Sequence, residues 1–168
     1  MHGTVATDDV GTLYQALKRF SREVRNDRRL QVPPADSVTV YDSVCASQIT
    51  LDALFAGGRL AEIGYRVRSC SLGQATTAIL VRHASELDAD TLERISGQLK
   101  EIFDGQRTQC DWPELDVFTL ARAIPSRRGS AELPFYVLQL LFHRAGLAGA
   151  PLDKDVVITT HSPGGNEP

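Results

Sequence analysis

Apolar residues recur at three- and four-residue steps from Thr12 to Arg25, where Leu13, Leu17, Phe20 and Val24 fall on one face of a predicted helix. Val32-Pro33-Pro34-Ala35-Asp36 ends any helix, because proline lacks an amide donor and restricts the residue before it. The period then shortens to two. Val38, Val40, Ile49, Leu51, Ala53 and Phe55 belong to strand-like segments, and Ala56-Gly57-Gly58-Arg59 separates them from Ile63, Tyr65 and Val67 as a hairpin turn would. Three strands are predicted. Connections this short join antiparallel neighbours, since a parallel pair needs a crossover of about a dozen residues.

After Cys70 the helical period returns, with Ala75, Ile79 and His83 or Leu72, Thr76 and Leu80 in step through about Ala84. Leu87, Asp88 and Leu92 form the pattern of a hydrophobic staple around an N-cap, and Ile95, Leu99, Ile102 and Phe103 continue on one face. Asp111-Trp112-Pro113-Glu114 carries the cap, early proline and acidic residue of another helix start, running to about Ala123. Past the break at Pro125 to Ser130, Pro134, Leu138, Leu141, Phe142 and Ala145 mark a last helix stopped at Gly146. This order predicts an α+β fold, a three-stranded antiparallel sheet with helices packed on one face. No linker or repeat divides the chain, so residues 1–168 form one domain with its core over about 12–146 and a mobile tail over 162–168.

The 168 residues suffice for a core without staples, and 42% hydrophobic with 23% charged residues is the balance of a soluble globular protein. No apolar run approaches the roughly 20 residues of a membrane span, so no membrane partner is expected. Met1 to Asp9 has neither the basic nor the apolar part of a secretory signal, and a cytoplasmic location is expected. A net charge of -3 gives no nucleic-acid footprint. Lys18, Arg19, Arg22, Arg25, Arg28 and Arg29 do gather near the start; interrupted by Glu23 and Asp27, they read as a solvated helix face, with a docking patch as the alternative. Three cysteines cannot all pair within one chain, so thiols are read as ligands, nucleophiles or small core residues.

Two of these thiols sit in recognisable surroundings. Cys45-Ala46-Ser47-Gln48-Ile49-Thr50-Leu51 resembles a first ligand motif, Cys-Gly-Asp, a basic residue and an apolar strand, with Ala46 for glycine and Ser47 for aspartate. Ser69-Cys70 through Leu80 resembles a second motif, Gly-Cys-x-x-x-x-Ala-x-x-Ser, with Ser69 for glycine and Ala78 for serine. Pro125-x-Arg127-x-x-Ser130-Ala131-x-Leu133-Pro134 resembles a third, with Ser130 in place of cysteine. These are motifs of the U-type iron-sulfur assembly proteins, the NifU, IscU and SufU group, and the resemblance spans about residues 12–145. The interval from Cys70 to Ser130 looks more like the SufU branch. The resemblance implies a compact α+β scaffold on which a cysteine desulfurase delivers persulfide sulfur to thiolates near one end of the sheet, for a transient iron-sulfur cluster or a zinc site. It implies Cys45 and Cys70 as ligands, Cys70 as persulfide acceptor, Ser47 and Ser130 as positions that have lost a ligand, and Arg127 in support. A recipient apoprotein or a second copy of the chain would complete the set of partners.

The residue chemistry bears on each position. A tetrahedral zinc or iron site takes four ligands, and a serine hydroxyl, protonated near neutral pH, is a poor one. A thiol opening a helix has its thiolate favoured by free amides, and Arg68 would add to this if it turned toward Cys70; the alternative is a small buried residue at the hairpin-to-helix junction. Cys45, at a strand start, is a ligand or core packing. Cys110 is a replacement ligand or an exposed bystander. Ser130 lacks a Gly-x-Ser-x-Gly elbow and fits a helix N-cap. His83 and His143 fall on predicted helices, His2 and His161 toward the ends, and none has zinc-motif spacing. No acid-base pair or cofactor loop stands out, which favours a scaffold or sulfur relay over an independent enzyme. The second reading is a degenerate scaffold that binds no metal and docks on the assembly machinery as a regulatory module.

Overall fold

The computed structural model describes residues 7–161, so the tail over 162–168 and His2 lie outside the described residues. The elements run α1 (Thr7–Glu23), β1 (Asp36–Asp42), β2 (Ser47–Ala56), β3 (Arg59–Arg68), α2 (Ser71–Arg82), α3 (Ala89–Phe103), a 3-10 helix (Pro113–Ala123), α4 (Arg128–Arg144) and β4 (Val157–His161). The α+β class holds, but the sheet has four strands instead of three, in the order β3-β2-β1-β4. All pairs are antiparallel, and β4 lies along β1 with Val38 opposite Thr160 and Val40 opposite Ile158. A reading built on local hairpins does not reach this strand, because its partner lies far earlier in the chain. The signal was present in the β-branched run Val156 to Thr160.

Alternation decides which face of the sheet the helices cover. Val38 and Val40 of β1, Ile49, Leu51 and Ala53 of β2, and Tyr65 and Val67 of β3 are buried on one face. Helices α2 and α4 pack on the sheet from that side, and α1 and α3 pack on them in turn. Gly57 and Gly58 make the β2–β3 turn at φ of 59° and 78°, a left-handed pair that glycine adopts without Cβ strain. Asp88 caps α3 by accepting the Thr91 amide at 2.8 Å, with Leu87 and Leu92 buried on either side as the staple requires. Gly146, at φ 74°, ends α4: its amide reaches the His143 carbonyl at 3.0 Å and the Leu147 amide reaches Phe142 at 3.0 Å.

Two predicted caps are corrected. Trp112 precedes the 3-10 helix, while the Asp111 carboxylate turns outward to Arg94 at 3.1 Å. Ser130 lies inside α4, whose capping position is Arg127, and its hydroxyl is directed into the protein instead of to a helix amide.

The other face of the sheet is crossed by the chain between α1 and β1. Arg28 pairs with Tyr65 on the outer edge of β3, through amide-to-carbonyl bonds of 3.0 and 2.8 Å. The Leu30 amide then reaches Asp52 Oδ2 at 2.9 Å, and Arg29 grips the same carboxylate through Nε at 2.7 Å and Nη2 at 2.9 Å. The crossing passes directly over Gly64, where a Cβ would stand 2.6 Å from the Leu30 nitrogen and 2.9 Å from the Arg28 carbonyl. Asp52 is fully buried, and burial pushes its carboxyl up, but Arg29, Ser37 and the Leu30 amide outweigh burial and hold it below the usual value.

Candidate functional site

Two of the thiols named from sequence, Cys45 and Cys70, occupy one end of the sheet. Cys45 sits in the turn between β1 and β2, closed by the Asp42–Ser47 pair, with its Sγ 4.0 Å from the Asp42 carbonyl. Ala46, next to it, has φ 51°, a left-handed conformation in which an L side chain is strained. That is the position where the resembled motif has glycine. Pairing of Gln48 with Arg68 brings the end of β3 beside the start of β2, so Ser69 and Cys70 emerge next to this turn. Cys70 is the residue preceding α2, extended at φ -67° and ψ 172°.

Helix α4 closes the site. Ser47 follows the inward alternation of Ile49 and Leu51, and its Oγ lies 3.2 Å from Ser130 Oγ of α4 and 3.2 Å from Ser69 Oγ. Ser47 and Ser130 are both fully buried. Gly73 permits this approach: a Cβ there would fall 2.1 Å from Ser69 Oγ and 2.9 Å from the Ser130 carbonyl. Pro134 lacks the amide that would bond that same carbonyl within α4. Asp42 also belongs to this end, its Oδ1 accepting the Val44 amide at 2.9 Å and its Oδ2 standing 3.6 Å from where a Cβ of Gly129 would be.

Cys70 is a polarised thiol. Burial pushes its pKa up, but the Ser130 hydroxyl, the Gly73 and Leu72 amides and the charge of Arg127 act against burial and leave it below the ordinary cysteine value. The helix start contributes as the sequence predicted. The cation differs, because Arg68 is held by Asp27 at 2.9 Å on the exposed side of β3, and Arg127 supplies the charge. Ser130 is thus part of the thiol's environment, and Ser47 and Ser69, the latter quoted in the motif but not singled out, are linked to it through their hydroxyls.

Cys110 lies elsewhere, between α3 and the 3-10 helix. It is buried rather than exposed, its Sγ is 3.2 Å from Gln98 Oε1, and its amide donates to Asp116 at 2.7 Å. Burial, with Asp111 and Asp116 nearby, raises this thiol. His83 is also away from the thiols, stacked on Trp112 at 4.0 Å and hydrogen-bonded to Glu86 and Glu114. His143 Nδ1 is 3.0 Å from the Ala148 carbonyl. Among the described residues, no group of three or more His, Cys, Asp or Glu side chains is arranged to hold a metal ion. Two thiols and two mutually hydrogen-bonded serines do not fit a resident tetrahedral zinc. No helix is long and apolar enough to cross a membrane among the described residues.

No protein-family model matches the sequence, and no curated protein matches it. Solved structures do. The N-terminal part of a nitrogen-fixing NifU-like protein from Brucella abortus superposes with a TM-score of 0.73 at 19% identity, covering 82% of this chain and 97% of that one. A protein from the thermophile Fervidobacterium islandicum AW-1, assigned as the iron-sulfur cluster assembly scaffold of its SUF system, superposes with a TM-score of 0.65 at 15% identity, covering 78% of this chain and 97% of that one. At nearly full coverage of both relatives, the chain has the fold of the U-type scaffold proteins.

Proposed function

We propose that this protein is a U-type iron-sulfur assembly protein that accepts sulfur on Cys70 from a cysteine desulfurase, with Cys45 as the second thiol of the site. The observation that carries the reading is the setting of Cys70: a half-buried thiol at a helix start, below its ordinary pKa, beside Ser130 and Arg127. The Cys70 thiolate attacks the outer sulfur of a donor persulfide. A new sulfur-sulfur bond forms on Cys70, the donor's sulfur-sulfur bond breaks, and the donor leaves as a thiolate that Arg127 and the helix start favour electrostatically. Sulfur, or an iron-sulfur cluster completed by another protein's ligands, is cargo bound for a recipient apoprotein. All three cysteines are free, as this chemistry requires, and a reducing compartment such as the cytoplasm keeps them so.

The test is anaerobic incubation with a cysteine desulfurase and cysteine, followed by peptide mass spectrometry. Cys70 should gain one or more sulfur atoms, Cys70→Ser should gain none there, and Cys110→Ser should behave as wild type. No sulfur on Cys70 under conditions that load the desulfurase itself would overturn the reading. One observation favours the second reading, a docking module without cargo: Ser47 and Ser130 satisfy each other where ligands would stand. In that case the Cys45→Ser, Cys70→Ser double variant binds the desulfurase as tightly as wild type and no sulfur transfer occurs.

A further inference from the structure

The cations near the start of the chain are not neutralised in the way their neighbours in sequence suggest. Glu23 is engaged by Arg82 of α2, and Asp27 by Arg66 and Arg68 of β3 at 2.9 Å each. The carboxylates that would make this a mixed, solvated face are thereby committed elsewhere. Lys18, Arg22 and Arg25 have no carboxylate partner among the described residues. All three line one cavity of about 220 Å³ between α1 and α2, together with Ser21, Ser71 and Gln74.

No carboxylate lines the cavity, and Lys18, Arg22 and Arg25 carry donors only, while the Ser21 hydroxyl donates to the Ser71 carbonyl at 3.5 Å and the Gln74 side-chain amide to the Ser69 carbonyl at 3.2 Å. Val24 and Val67, both nearly fully buried, supply the apolar part of the lining. Helix-end electrostatics explain only part of the arrangement: Arg22 lies in the last turn of α1, where a cation is favoured, but Lys18 is a full turn earlier. Two guanidiniums and an ammonium lining one concavity match a ligand that is acceptor-only, carries several oxygens and bears more than one negative charge. The cavity is smaller than the roughly 300 Å³ at which sites for drug-sized ligands begin. It therefore suits the phosphate portion of a ligand and not a complete nucleotide.

We propose that the cavity between α1 and α2, lined by Lys18, Arg22, Arg25, Ser21, Ser71 and Gln74, is a binding site for a compact phosphate-class polyanion. It is separate from the thiol site and does not depend on sulfur transfer, although Ser71 directly follows Cys70.

The experiment is an isothermal titration of the full chain with inorganic pyrophosphate and, separately, with ATP, against a sodium chloride control of equal ionic strength. Saturable pyrophosphate binding with a Kd below about 1 mM is expected. It should weaken at least about tenfold in the Arg22→Gln, Arg25→Gln double variant and also in Lys18→Gln, while Arg94→Gln, distant from the cavity, leaves it unchanged. Lys18, Arg22 and Arg25 are exposed, and circular dichroism melts of each variant establish that it is folded. Equal affinity for pyrophosphate and ATP assigns the site to free phosphate groups. ATP at least about tenfold tighter, with the same sensitivity to the variants, assigns it to the phosphates of a nucleotide. Absence of saturation by either ligand, equal heat from chloride, or binding untouched by the variants overturns the proposal, and so does binding found only with an acidic protein.

Discussion

Replacing Asp52 with alanine removes the anchor of the segment that crosses the back of the sheet. The carboxylate is fully buried and accepts from Arg29 Nε at 2.7 Å, Arg29 Nη2 at 2.9 Å and the Leu30 amide at 2.9 Å. Breaking a buried ion pair by deleting one partner costs about 3–5 kcal/mol, because the other charge is left uncompensated. The Arg29 side chain is 33% exposed and can turn to water, which places the loss at the lower end, about 3 kcal/mol. For a chain of this size that corresponds to a fall in Tm of about 6–12 °C near neutral pH. The sign of the pH dependence follows from the lowered carboxyl. Its stabilisation is complete above the unfolded carboxylate value of 3.8 and is lost as pH falls through the lower folded value. Thermal melts of wild type and Asp52→Ala by circular dichroism from neutral to strongly acidic pH should therefore converge in acid. A fall in Tm under about 2 °C at neutral pH, or a gap that stays constant into acid, would refute this account of the anchor.

Gly64→Ala should destabilise by about 1–3 kcal/mol in chemical denaturation, since its Cβ would meet backbone atoms of Arg28 and Leu30 that cannot yield without lifting the crossing segment; a neutral result contradicts that packing. Ala46→Gly should be neutral or stabilising by up to about 1 kcal/mol, because glycine relieves the φ of 51°; clear destabilisation in the same assay would show that the turn is not strained. Ser130→Ala and Arg127→Ala should each raise the Cys70 thiol titration and slow its alkylation by iodoacetamide at neutral pH, read by mass spectrometry; unchanged rate profiles would remove both groups from the thiol's environment.

The strands legible in the sequence were those in which one face is buried and the turn is local. Ile49, Leu51 and Ala53 alternate toward the helices, and Gly57-Gly58 fixes their hairpin with β3. Helix α3 was equally legible, because Asp88, Leu87 and Leu92 act within a few residues of one another. What failed depended on distant partners. β4 is defined by pairing with β1, and Arg68 is claimed by Asp27. Ser130 looked like a cap because caps are a local property, yet its hydroxyl answers to Ser47, far earlier in the chain. For the site, the sequence singled out Cys45, Cys70, Ser47, Ser130 and Arg127, and the structure brings them to one end of the sheet. The hydrogen bonds among Ser47, Ser69 and Ser130 were not legible, since they join residues far apart in the chain.

The row of hydroxyls at the end of the sheet has a further property, that of a one-way sequence of protons. A hydroxyl has one hydrogen to give. When Cys70 is ionised and takes the Ser130 hydrogen bond, the 3.2 Å bond between Ser47 and Ser130 can only be donated by Ser47. The 3.2 Å bond between Ser47 and Ser69 must then be donated by Ser69. Ionisation of one sulfur thus fixes the orientation of three rotors on three separate elements, the start of β2, the end of β3 and the first turn of α4. Neutralising that sulfur releases all three together.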